Sequence, residues 1–166
     1  MEKLKSLPLS CLMTFIYPDL YPVHGRIDYE NDSWPHPLHL SYANFERNGV
    51  YLLDTFDSLY LYICKSVNPE WLSEVFGVSQ WQQIPDDGDR DASSRRSSVS
   101  DAGLALIPLP DLSNHTSRGL RAFIECLMDS RPFRPHVFIL RYAHVLYNRM
   151  IIINILFFLF TGKTVA

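Results

Sequence analysis

GVYLLDTFDSLYLYICKSVNPEWLSEVFGV, residues 49–78, is the stretch that decides the fold. Two runs of β-branched, aromatic and leucine side chains flank the short polar break at 54–58, the pattern of two antiparallel strands joined by a tight turn. It predicts strands over 50–54 and 58–64. The runs are almost continuously apolar rather than alternating. Strands of that kind are covered on both faces, so helices are expected on either side of the sheet. Beyond them Asn68 is placed to cap a helix, Pro69 to occupy its first position, Glu70 to favour its positive end and Gly77 to close it. Trp71, Leu72, Val75 and Phe76 share one face of that helix.

Working outward, Leu120, Phe123, Ile124, Leu127 and Met128 recur at helical spacing. They predict a second helix over 117–130, ended by Pro132, with Arg118 and Arg121 projecting elsewhere. HVFILR, residues 136–141, reads as a further buried strand. Upstream, YPDLYP (17–22) reads as an extended stretch punctuated by its prolines, and DYENDSWPHP (28–37) as a surface loop. LHLSYANFERNG (38–49) reads as a short strand followed by a turn at Asn48-Gly49. Between the two helices, residues 85–103 hold almost no apolar side chains and are expected to form a flexible insertion. Arg95 and Arg96 there stand three and two residues before Ser98, a basophilic kinase spacing that makes Ser98 a candidate phosphorylation site.

Composition bounds the function classes. In 166 residues, 47% are apolar and 13% aromatic, enough for a real core in one domain. The net charge of −3, with no stripe of Lys and Arg, leaves nucleic acid without an electrostatic footprint. The three cysteines, Cys11, Cys64 and Cys126, form no C-x-x-C pair, which predicts buried, reduced thiols and neither a zinc ribbon nor a disulfide framework. Lys3 and Lys5 precede an apolar run, but Pro8 and Ser10 interrupt it and no small-residue cleavage site follows, so no secretory signal is expected. The C-terminal run Met150 to Phe160 is shorter than the roughly 20 residues a spanning helix needs. Arg141, His144, Asn148 and Arg149 stand in the way of extending it backwards. It reads as an interfacial or partner-covered segment, or as an alternative end that packs poorly.

Chemistry is sparse. Pro37 separates His36 from His39, and no third ligand stands near, so surface histidines are expected rather than a metal pair. Cys64 lies inside an apolar strand, where a thiol is buried and unreactive. Turn chemistry accounts for Asp54 and Asp57, while Asp86 to Asp91 lacks the terminal Glu of a calcium loop. No glycine-rich phosphate loop or nucleophile elbow occurs. No catalytic, cofactor or metal residue is therefore assigned, and no enzyme is expected. Trp34 and Trp81, in loops, are candidate anchors for a partner.

The order of segments also carries a resemblance. LPLSCLMTFIYPDLYPVH (7–24) is followed by GVYLLDTFDSLYLYI (49–63), LSEVFGV (72–78), LPDL (109–112), RGLRAFIECLMDSR (118–131) and VFILR (137–141). Together, over about residues 6–141, they resemble the C-terminal gelsolin-like module of the cargo-adaptor subunit of the inner COPII vesicle coat. The resemblance implies an α+β fold, a gelsolin-like mixed β-sheet flanked by helices on both faces. It divides the chain into a lead-in at 1–16, a gelsolin-like domain at 17–141 and a divergent hydrophobic tail at 142–166. It implies a cytoplasmic, non-enzymatic coat component, peripheral on the endoplasmic reticulum membrane and its vesicles. Its partners would be the coat partner subunit with its small GTPase and, indirectly, membrane cargo. No cofactor is expected, since the family's zinc finger has no counterpart in these residues, and no cargo-binding residue carries over. The alternatives are a gelsolin-like actin- or calcium-binding protein, or a short membrane-anchored protein using Val137 to Phe160.

Overall fold

The computed structural model describes residues 13, 14, 16–41, 44–84 and 109–142. The insertion at 85–103 with Ser98, Cys11 and the tail beyond 142 lie outside them. Strands β1 (Asp19–Pro22), β2 (Val50–Asp54), β3 (Ser58–Cys64) and β4 (His136–Tyr142) form one sheet in the order β1-β2-β3-β4. The first two pairings are antiparallel, and β3 pairs with β4 in parallel. The sheet is therefore mixed, and with helices α1 (Pro69–Phe76) and α2 (His115–Asp129) the class is α+β.

The β2–β3 hairpin turns through Thr55, Phe56 and Asp57. Phe56 takes a φ of 72°, a costly value for a bulky side chain. Local bonds hold it there. The Asp54 carboxylate accepts from the Phe56 N–H at 2.8 Å. The Thr55 hydroxyl bridges to the Asp57 carboxylate and the Ser58 carbonyl. The segment YPDLYP proves to contain an edge strand. Its prolines are compatible with that position, because an edge leaves N–H sites off the ladder. Part of β1's outer side is covered by an isolated bridge, in which the Leu38 N–H donates to the Leu20 carbonyl at 2.7 Å.

The caps of α1 fall where the sequence places them. Asn68 Oδ1 accepts from the Glu70 N–H, Pro69 opens the helix, and Gly77 closes it at φ 68°. Helix α2 begins two residues before the expected Ser117, capped by Asn114 Oδ1 on the Ser117 N–H. The Asn114 amide also donates to the Glu74 carbonyl, tying the start of α2 to the exposed side of α1.

A parallel pair needs a crossover connection, and α1 and α2 both lie in the single crossover from β3 to β4. Both accordingly pack on one face. That face holds Val50, Leu52, Leu59, Leu61, Ile63 and Ile139 against the apolar sides of the helices. The opposite face holds Leu20, Tyr51, Leu53, Tyr62 and Cys64, and among the described residues Leu38, Leu40 and Phe45 cover it. The two-sided burial of the strands stands as expected. Among the described residues, the helix-bearing crossover covers one face and the loop between β1 and β2 covers the other.

Candidate functional site

A buried polar cluster lies at the hairpin, where Asp54 and Thr55 are both buried. Asp54 is 1% exposed and forms an ion pair with Arg131, which follows α2. Arg131 also donates to the Phe56 carbonyl at 2.7 Å, and its guanidinium lies 5.5 Å from the Phe56 ring centroid. Phe133 meets the same ring edge-on. Asp19 stands directly across from Asp54 in the β1–β2 register. Burial, then the neighbouring Asp54 charge, raises the Asp19 carboxyl above its usual range, while Tyr21 and Arg131 pull against that rise. Tyr21 is raised in turn, first by burial and then by Asp19. One guanidinium thus pairs with Asp54 and locks the hairpin turn to the end of α2. Sequence reading accounts for Asp54 by turn chemistry alone and misses the ion pair. Its only signal there is that RPFRP follows a helix.

A second feature is a cavity of about 410 Å³ at the opening ends of the helices. Its walls are the loop from His24 to Arg26 after β1, the outer face of α1 from Asn68 to Glu74, and His115 with Thr116 at the start of α2. Glu70 and Glu74, one helical turn apart, are exposed and have no ion-pair partner among the described residues. Trp71 forms part of the wall, and its Nε1 and His115 Nδ1 are both buried with no hydrogen-bond partner among the described residues. The His115 ring rests 5.0 Å from that of Tyr29.

The other sequence-predicted residues separate. Trp34 stacks on Phe123 at 5.7 Å, and Trp81 donates its Nε1–H to the Ile63 carbonyl at 3.0 Å. Both are half-buried and packed against the helix-side core, which corrects their reading as free anchors. Cys64 is buried as expected, and burial pushes its thiol up to about 11, away from nucleophilic use. Cys126 is exposed instead of buried, because it lies off the apolar stripe of α2. His36 and His39 are both exposed, and among the described residues no three His, Cys, Asp or Glu side chains are grouped to hold a metal ion.

Comparison with known proteins gives this scaffold its relatives. Residues 32–99 match the gelsolin repeat family. Protein transport protein Sec24A of Mus musculus is 29% identical over 148 residues, covering 85% of this chain. The Homo sapiens protein of the same name gives the same identity and coverage. Protein transport protein SEC24-2 of Candida glabrata is 33% identical over 92 residues, 51% of this chain. This chain carries a Sec24-like, gelsolin-like region. In fold it is similar to the human COPII-coat protein Sec24c, with a TM-score of 0.64 over 84% of the chain at 21% identity. The Sec24-like region spans 12% of the length of the Sec24A relatives and 16% of the Sec24c chain. No helix among the described residues is long and apolar enough to cross a membrane.

Proposed function

We propose that this chain serves as a non-enzymatic module of the COPII coat, taking part in cargo-selective vesicle formation for transport from the endoplasmic reticulum to the Golgi. The observation that carries this reading is the extent of the Sec24 similarity, 85% of a chain that folds into a mixed sheet with two packed helices. The chemistry agrees with it. The polar groups at the hairpin are engaged with one another, and the described thiol inside the sheet is held neutral. Such an interior suits a rigid spacer whose surface is the working part. On this reading the chain acts from the cytoplasm as a peripheral component on the endoplasmic reticulum membrane. Its partners are the coat partner subunit and its small GTPase, and membrane cargo is reached through them.

Co-sedimentation tests the proposal. The purified chain is mixed with liposomes, the coat partner subunit and the GTPase in its active nucleotide state. The chain is expected in the membrane pellet only when both proteins are present. A chain that stays in the supernatant while both partners pellet overturns the reading.

A further inference from the structure

The loop-covered face of the sheet is unevenly closed. On β2, Tyr51 and Leu53 are 1% and 3% exposed, whereas Tyr60, Phe138 and Leu140 on β3 and β4 are only half-buried. These three make one apolar strip. Tyr60 stands opposite Phe138 in the parallel register with the two rings stacked at 5.2 Å, and Leu140 stands opposite Tyr62. Among the described residues, Leu38, Leu40 and Phe45 cover this face, and two of them are anchored over the other pair of strands. Leu38 bridges to Leu20 of β1, and the Phe45 ring lies 4.7 Å from that of Tyr51 on β2. The opposite face takes α1 and α2. A further apolar segment would thus be buried on the β3–β4 half of the loop side, around Leu140. The sequence supplies such a segment next to that strip. The run Met150 to Phe160, outside the described residues, follows the end of β4 at Tyr142 and has Asn154 as its only polar side chain. Folded chains rarely leave a contiguous apolar surface of that kind in water.

We propose that Met150 to Phe160 docks on the strip of Tyr60, Phe138 and Leu140 and completes the cover of the loop side. This does not depend on the coat reading. The connecting residues 143–149 reach about 23–25 Å when extended, at about 3.3–3.6 Å each. The 7 residues of β4, at about 3.3 Å each, are about 23 Å long, so the run can return over the whole strand it follows. A bilayer or a second copy of the chain would also bury the run. Tethering favours its own sheet, because so short a connector holds the run at an effective concentration on the order of millimolar.

Paramagnetic broadening of leucine methyl signals in the full chain tests this. A nitroxide is attached through Asn154→Cys, the one polar position of the run, with Cys11→Ser and Cys126→Ser removing the competing thiols and Cys64 left buried in the sheet. The Leu140 signal is expected to broaden several-fold more than those of Leu52 and Leu61, which face the helices. Adding Ile152→Asp and Leu156→Asp to the labelled chain should abolish that difference while the Leu52 and Leu61 signals, unmoved, report an intact fold. Leu140 broadened no more than Leu52 and Leu61, or a difference that survives the two aspartates, would overturn the proposal. Two further results would also overturn it by naming another occupant. Equal Leu140 broadening in isotope-enriched, unlabelled chains mixed with spin-labelled, unenriched ones would assign the run to a second copy. Pelleting of the chain with phosphatidylcholine vesicles alone would assign it to a bilayer.

Discussion

Arg131 is the residue on which the hairpin depends. Its side chain is 5% exposed, it is paired with a carboxylate 2% exposed, and it also holds the carbonyl of a residue at positive φ. Arg131→Met leaves Asp54 charged and buried, and removal of one partner from such a pair costs about 3–5 kcal/mol. Chemical denaturation is expected to show a loss of that size. The double change Asp54→Asn/Arg131→Met should recover part of it, because no lone charge remains. A loss no larger than that of an exposed arginine would mean the pair is not buried in solution. Asp19 behaves in the opposite sense. Its carboxyl is raised by burial and by Asp54, so the folded state binds its proton more tightly than the unfolded chain does. Ionised Asp19 therefore costs stability at neutral pH. That cost fades as pH falls through its raised folded value toward the ordinary 3.8. Asp19→Asn should melt higher than the parent at pH 7, with the difference shrinking toward pH 4. A constant difference across that range would contradict the assignment.

At the scale of elements, the seat of α2 is set by a glycine. A Cβ at Gly119 would stand 2.8 Å from the Ile27 carbonyl oxygen and 3.2 Å from the Ile27 Cβ, so α2 approaches the chain after β1 as closely as backbone allows. Gly119→Ala gains helix propensity of about 1 kcal/mol but must push α2 off a rigid neighbour. We expect a net loss of about 1–3 kcal/mol by thermal or urea unfolding. Gly25→Ala, where nothing lies within 4 Å, is the control and should lose nothing. Sequence reading treats Gly119 as one more position in an amphipathic helix. Its need for the missing side chain arises from Ile27, 92 residues away by subtraction of the two numbers, and no local pattern records that contact.

For the whole molecule, the sheet is shared by two cores. Along β2 and β3 the side chains alternate, Leu52 and Leu61 toward the helices, Leu53 and Tyr62 toward the loop-covered face. A sheet common to both should make them unfold together. Leu61→Ala and Leu53→Ala are each expected to cost about 2–5 kcal/mol, with backbone circular dichroism and aromatic fluorescence reporting one coincident transition. A separate early transition in Leu53→Ala would show that the loop-covered core melts by itself.

Much of this is legible in the order of residues because its causes are local. Strand and helix signals depend on neighbours within a turn or a pleat, so β2, β3, β4 and both helices, with the Asn68 and Gly77 caps, are read directly. The demand for cover on both faces is legible for the same reason, since it is a property of each strand's own side chains. What supplies the cover is not. The parallel pairing of β3 with β4 sends both helices to one face and leaves Leu38, Leu40 and Phe45 to the other. The joining of Asp54 to Arg131 across 77 positions, the folding of Trp34 and Trp81 onto the core, and the meeting of α1, α2 and the loop after β1 around one cavity have the same origin. Each is a contact between segments far apart in sequence. Only the closed fold decides which of the available side chains reach it, because the free energy of such a contact exists only after the intervening chain is ordered.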